Sequence, residues 1–125
     1  MESLIAILLW YYANMDARRN DPVFIKDYIA VEALISGVNP QMMQRIAYHE
    51  SRFNCNAVGD GGESHGCWQI HRPEKKKVRP LTVEQAKNPI IATQWSIQTI
   101  KEDGSCRQWS VCKKVMSELK ALDNT

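Results

Sequence analysis

Long apolar runs, a one-sided charge and the usual metal-binding spacings are all missing from this chain. In its 125 residues no apolar stretch approaches the ~20 residues that span a bilayer, which argues against a membrane-embedded protein. Sixteen Lys and Arg stand against fourteen Asp and Glu, a formal net charge of +2, and so small an excess argues against nucleic acid as the main partner. Six glycines and five prolines are too few for collagen-like or mucin-like chains. With 44% hydrophobic residues, the chain is also too apolar to be disordered. No internal repeat, low-complexity tract or interdomain linker is visible. What is there reads as one soluble globular domain, long enough to bury roughly two-thirds of its unfolded surface.

The four cysteines are Cys55, Cys67, Cys106 and Cys112. An even count in a small chain suggests a disulfide framework and an oxidising compartment, with three pairings open. Cys55, Cys67, His65 and His71 could instead surround a tetrahedral metal, or the thiols could be buried and reduced. Neither Cys-x-x-Cys nor His-Glu-x-x-His occurs, so disulfides are favoured and no metal or cofactor is expected. Leu4 to Tyr12 has the length of a signal-peptide core, but Glu2 sits where a basic residue belongs and no Ala-x-Ala follows. Residues 1–20 are therefore an apolar N-terminal segment, either a leader or a helix packed on the domain, and 21–125 are the single domain.

Asp21-Pro22 has the chemistry of a helix start, a capping acid followed by proline at the first helical position. Phe24, Tyr28, Val31 and Ile35 follow at helical spacing until Gly37. Asn39-Pro40 opens a second helix, and Asn88-Pro89 a longer one, ended by Gly104, that is apolar on more than one side. Between them, residues 52–71 lose the helical period and carry four glycines; Asp60-Gly61 is a hairpin turn signal. Thr82-x-x-Gln85 resembles a capping box, and Val111, Val115, Leu119 and Leu122 mark the inward stripe of a last helix. The fold class is α+β, mainly helical, with one small β-hairpin.

Glu50 is out of place. On the second helix Met43, Ile46 and Ala47 form the apolar stripe, and Glu50 falls on the same stripe. It also lies at the helix C-terminus, the wrong end of the macrodipole for an anion. Burial and dipole both disfavour the charged form and raise the pKa. A carboxyl kept protonated near neutrality is what a general acid requires, although a glutamate at a helix end can also simply turn to solvent.

Glu50-Ser51 is followed by Phe53-Asn54, Ala57, the glycine-rich turn, and Ser64-His65-Gly66-Cys67-Trp68-Gln69-Ile70. In this order and spacing the chain resembles the lysozyme-like superfamily, in particular the soluble lytic transglycosylase, goose-type lysozyme-like branch. The likeness covers roughly residues 23 to 112. It implies a lysozyme-like domain whose hairpin lies beside the active-site cleft. The substrate would be peptidoglycan glycan strands, cut at the β-1,4 bond between N-acetylmuramic acid and N-acetylglucosamine. Glu50 would be the acid/base, and 1,6-anhydro ends the product. Ser64 falls where chicken-type lysozymes carry their nucleophilic aspartate, and by the resemblance it holds the substrate's N-acetyl group. Gln69 would line the cleft floor, on a strand that turns Trp68 the other way into the core.

Asp60 and Glu63 are candidate second carboxylates for a hydrolase of the same fold, though Asp-Gly is also ordinary turn chemistry. Ser51 beside the acid, and Tyr48 and His65 as stacking surfaces, complete the expected substrate-binding set. Trp95 and Trp109 could stack similarly, with packing the commoner role for each, and His49 should point off the stripe into solvent. The family's late Ala-Tyr-Asn segment has no match; SCRQWSVCK stands there. The preferred disulfides are Cys55 with Cys112 and Cys67 with Cys106. The basic run HRPEKKKVRP, residues 71–80, is either a solvated loop or an attraction to the anionic cell wall. The expected protein is exported, periplasmic or extracellular, works on the cell-wall surface rather than a membrane, and is a monomer. A module of this fold that binds glycan without cutting it is the rival from another class.

Overall fold

The three Asx-Pro pairs build the frame. In the computed structural model, which describes residues 2–75 and 80–123, Asp21 accepts hydrogen bonds from the Val23 and Phe24 amides and starts α2 (Pro22–Ser36). Asn39 accepts from Met42 and starts α3 (Pro40–Ser51), and Asn88 accepts from Ile90 and Ile91 and starts α5 (Pro89–Asp103). Each cap satisfies amides that the first turn cannot pair, typically about 1 kcal/mol per cap. Gly37 and Gly104 end α2 and α5 in the left-handed conformation. The Thr82–Gln85 capping box is formed and opens the short α4 (Val83–Lys87). Before and after this frame come α1 (Glu2–Arg18) and α6 (Cys112–Asp123).

Helix α2 packs on α1 and α3, and α5 packs behind it. Ile25, Tyr28 and Ile29 of α2 meet Met43 and Ile46 of α3, all fully buried. The buried residues of α2 are paired neighbours (Phe24 and Ile25, Tyr28 and Ile29, Glu32 and Ala33), so Val31 and Ile35 lie at the edge of the stripe. Helix α5 is buried on most of its girth, as its sequence suggests, with Thr93, Ser96 and Thr99 inside beside Ile97 and Ile100. In α6 only Val115 is buried; Leu119 is half-buried and Leu122 is exposed, which corrects the outer end of the expected stripe. Helix α1 is held by Met15 in the core and by Tyr12, whose hydroxyl lies 2.9 Å from both carboxylate oxygens of the buried Glu32. Gln94 of α5 donates to the same hydroxyl at 3.1 Å.

The expected hairpin is a three-stranded antiparallel meander of two-residue strands: β1 (Val58–Gly59), β2 (Ser64–His65) and β3 (Ile70–His71). The register pairs Gly59 with Ser64, and Ser64 in turn with His71. Trp68 and Gln69 lie in the β2–β3 turn, not on a strand, and Gln69 has φ 48°. Gly66 enters that turn at φ 84°, so close to the Ala86 carbonyl of α4 that any Cβ would collide with it. Trp68 is fully buried; its indole donates to Thr93 Oγ1 at 3.0 Å, and Trp109 donates to its carbonyl at 3.0 Å. Among the described residues, six α-helices and one small antiparallel sheet make up the expected mainly helical α+β fold.

The disulfides differ from expectation. Cys55 bonds Cys67 and Cys106 bonds Cys112, with Cα separations of 4.0 and 5.4 Å. The turn leaving α3 runs beside the β2–β3 turn, which brings Cys55 to Cys67, while Cys106 and Cys112 close the α5–α6 connection locally. With Cys55 and Cys67 bonded to each other, the metal set of Cys55, Cys67, His65 and His71 has lost its thiolates. Replacing Cys55 and Cys67 together by Ala should lower stability by about 2–3 kcal/mol, the loop-closure value for a 12-residue separation; urea unfolding of both proteins checks this.

Candidate active site

Helix α3 carries Glu50 inward because its stripe does. Met43, Ile46 and Ala47 are fully buried, and Glu50, one turn on, is half-buried at the helix exit. Arg52 and Phe53 then adopt positive φ, 54° and 63°, and turn the chain sharply away, leaving the carboxyl at the rim. Burial is the largest influence on Glu50 and raises its pKa, the negative charge of Asp60 raises it further, and His49 opposes them weakly. Among the described residues no side chain hydrogen-bonds to its carboxyl. The group is thus held toward its neutral form and left free for a ligand.

The hairpin brings three of the expected residues together. Ser64 is 1% exposed, with Oγ 2.6 Å from Asp60 Oδ2 and 3.0 Å from His71 Nδ1. Asp60 is 70% exposed and near enough to Glu50 for its charge to act there. Glu63 is otherwise engaged: Arg72 Nε holds its Oε2 at 2.5 Å, and that hydrogen bond above all keeps its carboxyl below the usual range. Of the two candidate second carboxylates, Asp60 is the more exposed, 70% against 38%, and the one not held by an arginine.

The remaining expected residues divide. Ser51 Oγ donates to the Cys67 carbonyl at 2.7 Å, tying α3 to the β2–β3 turn. Gln69 spends its amide nitrogen on the carbonyls of Ala57 (3.2 Å) and Gly66 (3.0 Å), bracing the hairpin base. His65 offers no open ring face: it is 8% exposed, with Nε2 3.0 Å from the Gly62 carbonyl. Tyr48 is exposed but lies on the other side of α3 from the Glu50 stripe, under the Arg52 guanidinium. It lines a groove of about 370 Å³ with Lys26, Arg45, His49 and Glu118. His49 is not solvent-facing as expected, because α6 covers it; its Nε2 lies 3.0 Å from Glu118, which also binds Arg45 at 3.2 Å. Trp109 packs in the core against Trp68 and Trp95. Trp95 is half-buried and shares with Gln69, His71 and Gln108 a small pocket of about 80 Å³. Of the basic run, Lys76, Lys77 and Arg79 lie outside the described residues, and Arg72 is committed to Glu63.

Two partners were invisible to sequence reasoning. His71, read only as a metal ligand, is the cross-strand neighbour of Ser64, and strand register was the missing signal. Glu118 reaches His49 only because α6 returns across α3.

A family model for the transglycosylase SLT domain matches residues 27–106, more than half of the chain. The matched stretch contains Glu50, the whole hairpin and α5, and leaves out α1 and α6. No curated protein and no solved structure matches the chain.

A carboxyl whose pKa is raised by folding lowers stability once the unfolded chain's glutamate has ionised, so the penalty appears as pH rises through the usual carboxylate range toward the raised value. Glu50→Gln should therefore be more stable than wild type at pH 7, by less than about 1 kcal/mol because the group is only half-buried. The gain should vanish near pH ~3, where both side chains are neutral. Urea titrations at the two pH values check it.

Proposed function

The chain belongs to the transglycosylase SLT domain family, within the lysozyme-like superfamily, and on that premise we propose that it cleaves peptidoglycan glycan strands with Glu50 as its single acid/base. The bond is the β-1,4 link between N-acetylmuramic acid and N-acetylglucosamine. Glu50 protonates the departing glycosidic oxygen as the bond to the anomeric carbon breaks. The resulting carboxylate then takes the proton of the muramic acid 6-hydroxyl as that oxygen closes on the anomeric carbon. Protons balance, no water is consumed, and a 1,6-anhydro end results. A serine at position 64 cannot form a glycosyl-carboxylate intermediate, which is why the sugar's own groups serve as nucleophile. The reading is carried by Glu50: a half-buried carboxyl with raised pKa at the mouth of the hairpin.

One observation favours a second reading. Asp60 presents an ionisable, largely exposed carboxylate near Glu50, with one oxygen anchored by Ser64. It could hold a water for direct hydrolysis, making the protein a muramidase. The two disulfides suit work in an exported, cell-envelope setting, and among the described residues no helix is long and apolar enough to cross a membrane.

Digestion of purified peptidoglycan by wild type and by Glu50→Gln, read by mass spectrometry, tests this. Wild type should release fragments one water lighter than hydrolysis products, and the variant should release at least about a hundredfold less, the usual contribution of a general acid. Reducing ends would establish the hydrolase. Binding to the wall without release by either protein would mean a glycan-binding module.

A further inference from the structure

Ser64 has one proton and two neighbours within reach of it. Its Oγ is 2.6 Å from Asp60 Oδ2 and 3.0 Å from His71 Nδ1. The shorter contact has the length of a hydroxyl donating to an ionised carboxylate. Two oxygens that close repel unless the proton lies between them, so the serine hydroxyl donates to Asp60. The contact with His71 then requires a proton on Nδ1, and His71 is the donor to Ser64. The backbone enforces this order, because Ser64 pairs directly with His71 across β2 and β3.

The exposures show which end of the chain of bonds meets a ligand. Ser64 is 1% exposed, whereas the Asp60 and His71 side chains are 70% and 55% exposed. A sugar amide or a water arriving at the hairpin encounters the outer oxygen of Asp60, an acceptor, and not the serine hydroxyl. We propose that His71 is the positioning residue of this site: by donating Nδ1–H to Ser64 it directs the serine hydroxyl toward Asp60 and fixes that carboxylate beside Glu50, where it accepts a hydrogen bond from the substrate's acetamido N–H or from a water. The charged groups facing the imidazole are Asp60, 3.8 Å from Nδ1, and Glu63, 3.6 Å from Nε2. Arg72 is held on Glu63, and Lys75 acts on it from the turn beyond. The catalytic consequence rests on the glycan-cleaving role of Glu50; the hydrogen-bond order does not.

Nitrogen-15 NMR of the imidazole in the full chain tests the order without turnover. The neutral His71 ring should be the Nδ1–H tautomer, and Ser64→Ala should move it toward the Nε2–H form. An unprotonated Nδ1 in wild type, or a tautomer indifferent to Ser64→Ala, overturns the proposal. Glycan release then tests the consequence. His71→Ala should lower kcat about tenfold, as expected for a displaced catalytic partner, with KM changed less than about twofold. His71→Asn, which keeps a donor at the Nδ1 position, should recover most of that loss. Equal activity of His71→Ala and wild type, or no recovery in His71→Asn, contradicts it. Absence of glycan release by wild type would overturn the proposed activity and the catalytic half of this inference, while the NMR result would still decide the hydrogen-bond order.

Discussion

The end of α3 and the β2–β3 turn are bound to each other, and the rest of the candidate site depends on that attachment. Ser51, next to Glu50, donates to the Cys67 carbonyl; Cys55, just beyond the helix, is disulfide-bonded to Cys67 itself. From the other side Gly66 presses on α4, and Trp68 fills the space between the hairpin and α5. A meander of two-residue strands has too little pairing to persist alone. Here it is fastened by one covalent bond, one buried indole and a backbone approach that only glycine allows.

That attachment has an electrostatic result. Covering the last turn of α3 removes water from one side of Glu50, and holding the hairpin there places the Asp60 charge nearby. Both favour the neutral acid, as does the negative end of the helix dipole. Glu63 does not add to this effect, because Arg72 takes its charge. The hairpin thus separates its two carboxylates into one that is spent in an ion pair and one that faces the site.

The helices were legible because their signals are local. An aspartate or asparagine before proline satisfies the first amides of its own helix whatever surrounds it, and all three pairs did so. The inward position of Glu50 also follows from spacing along one helix. Residues whose environment depends on distant chain were not legible. His49 lies off its stripe but is covered by α6, and the cysteines pair according to which turns lie side by side. Ser64 and His65 are adjacent in a strand, yet both are buried, because β2 is the central strand, paired on both edges and packed on α4, and alternation carries no information in a two-residue strand so placed. Trp68 was assigned to the core correctly although the strand that motivated the assignment is a turn.

The central claim is that folding raises the pKa of Glu50, through burial and with the help of the Asp60 charge. Carbon-13 NMR titration of the Glu50 side-chain carboxyl, in wild type and in Asp60→Asn, measures it directly. The account predicts a midpoint above the ordinary glutamate value in wild type and a lower one once the Asp60 charge is gone. A midpoint at the ordinary value in wild type, or one that Asp60→Asn leaves unmoved, would contradict it.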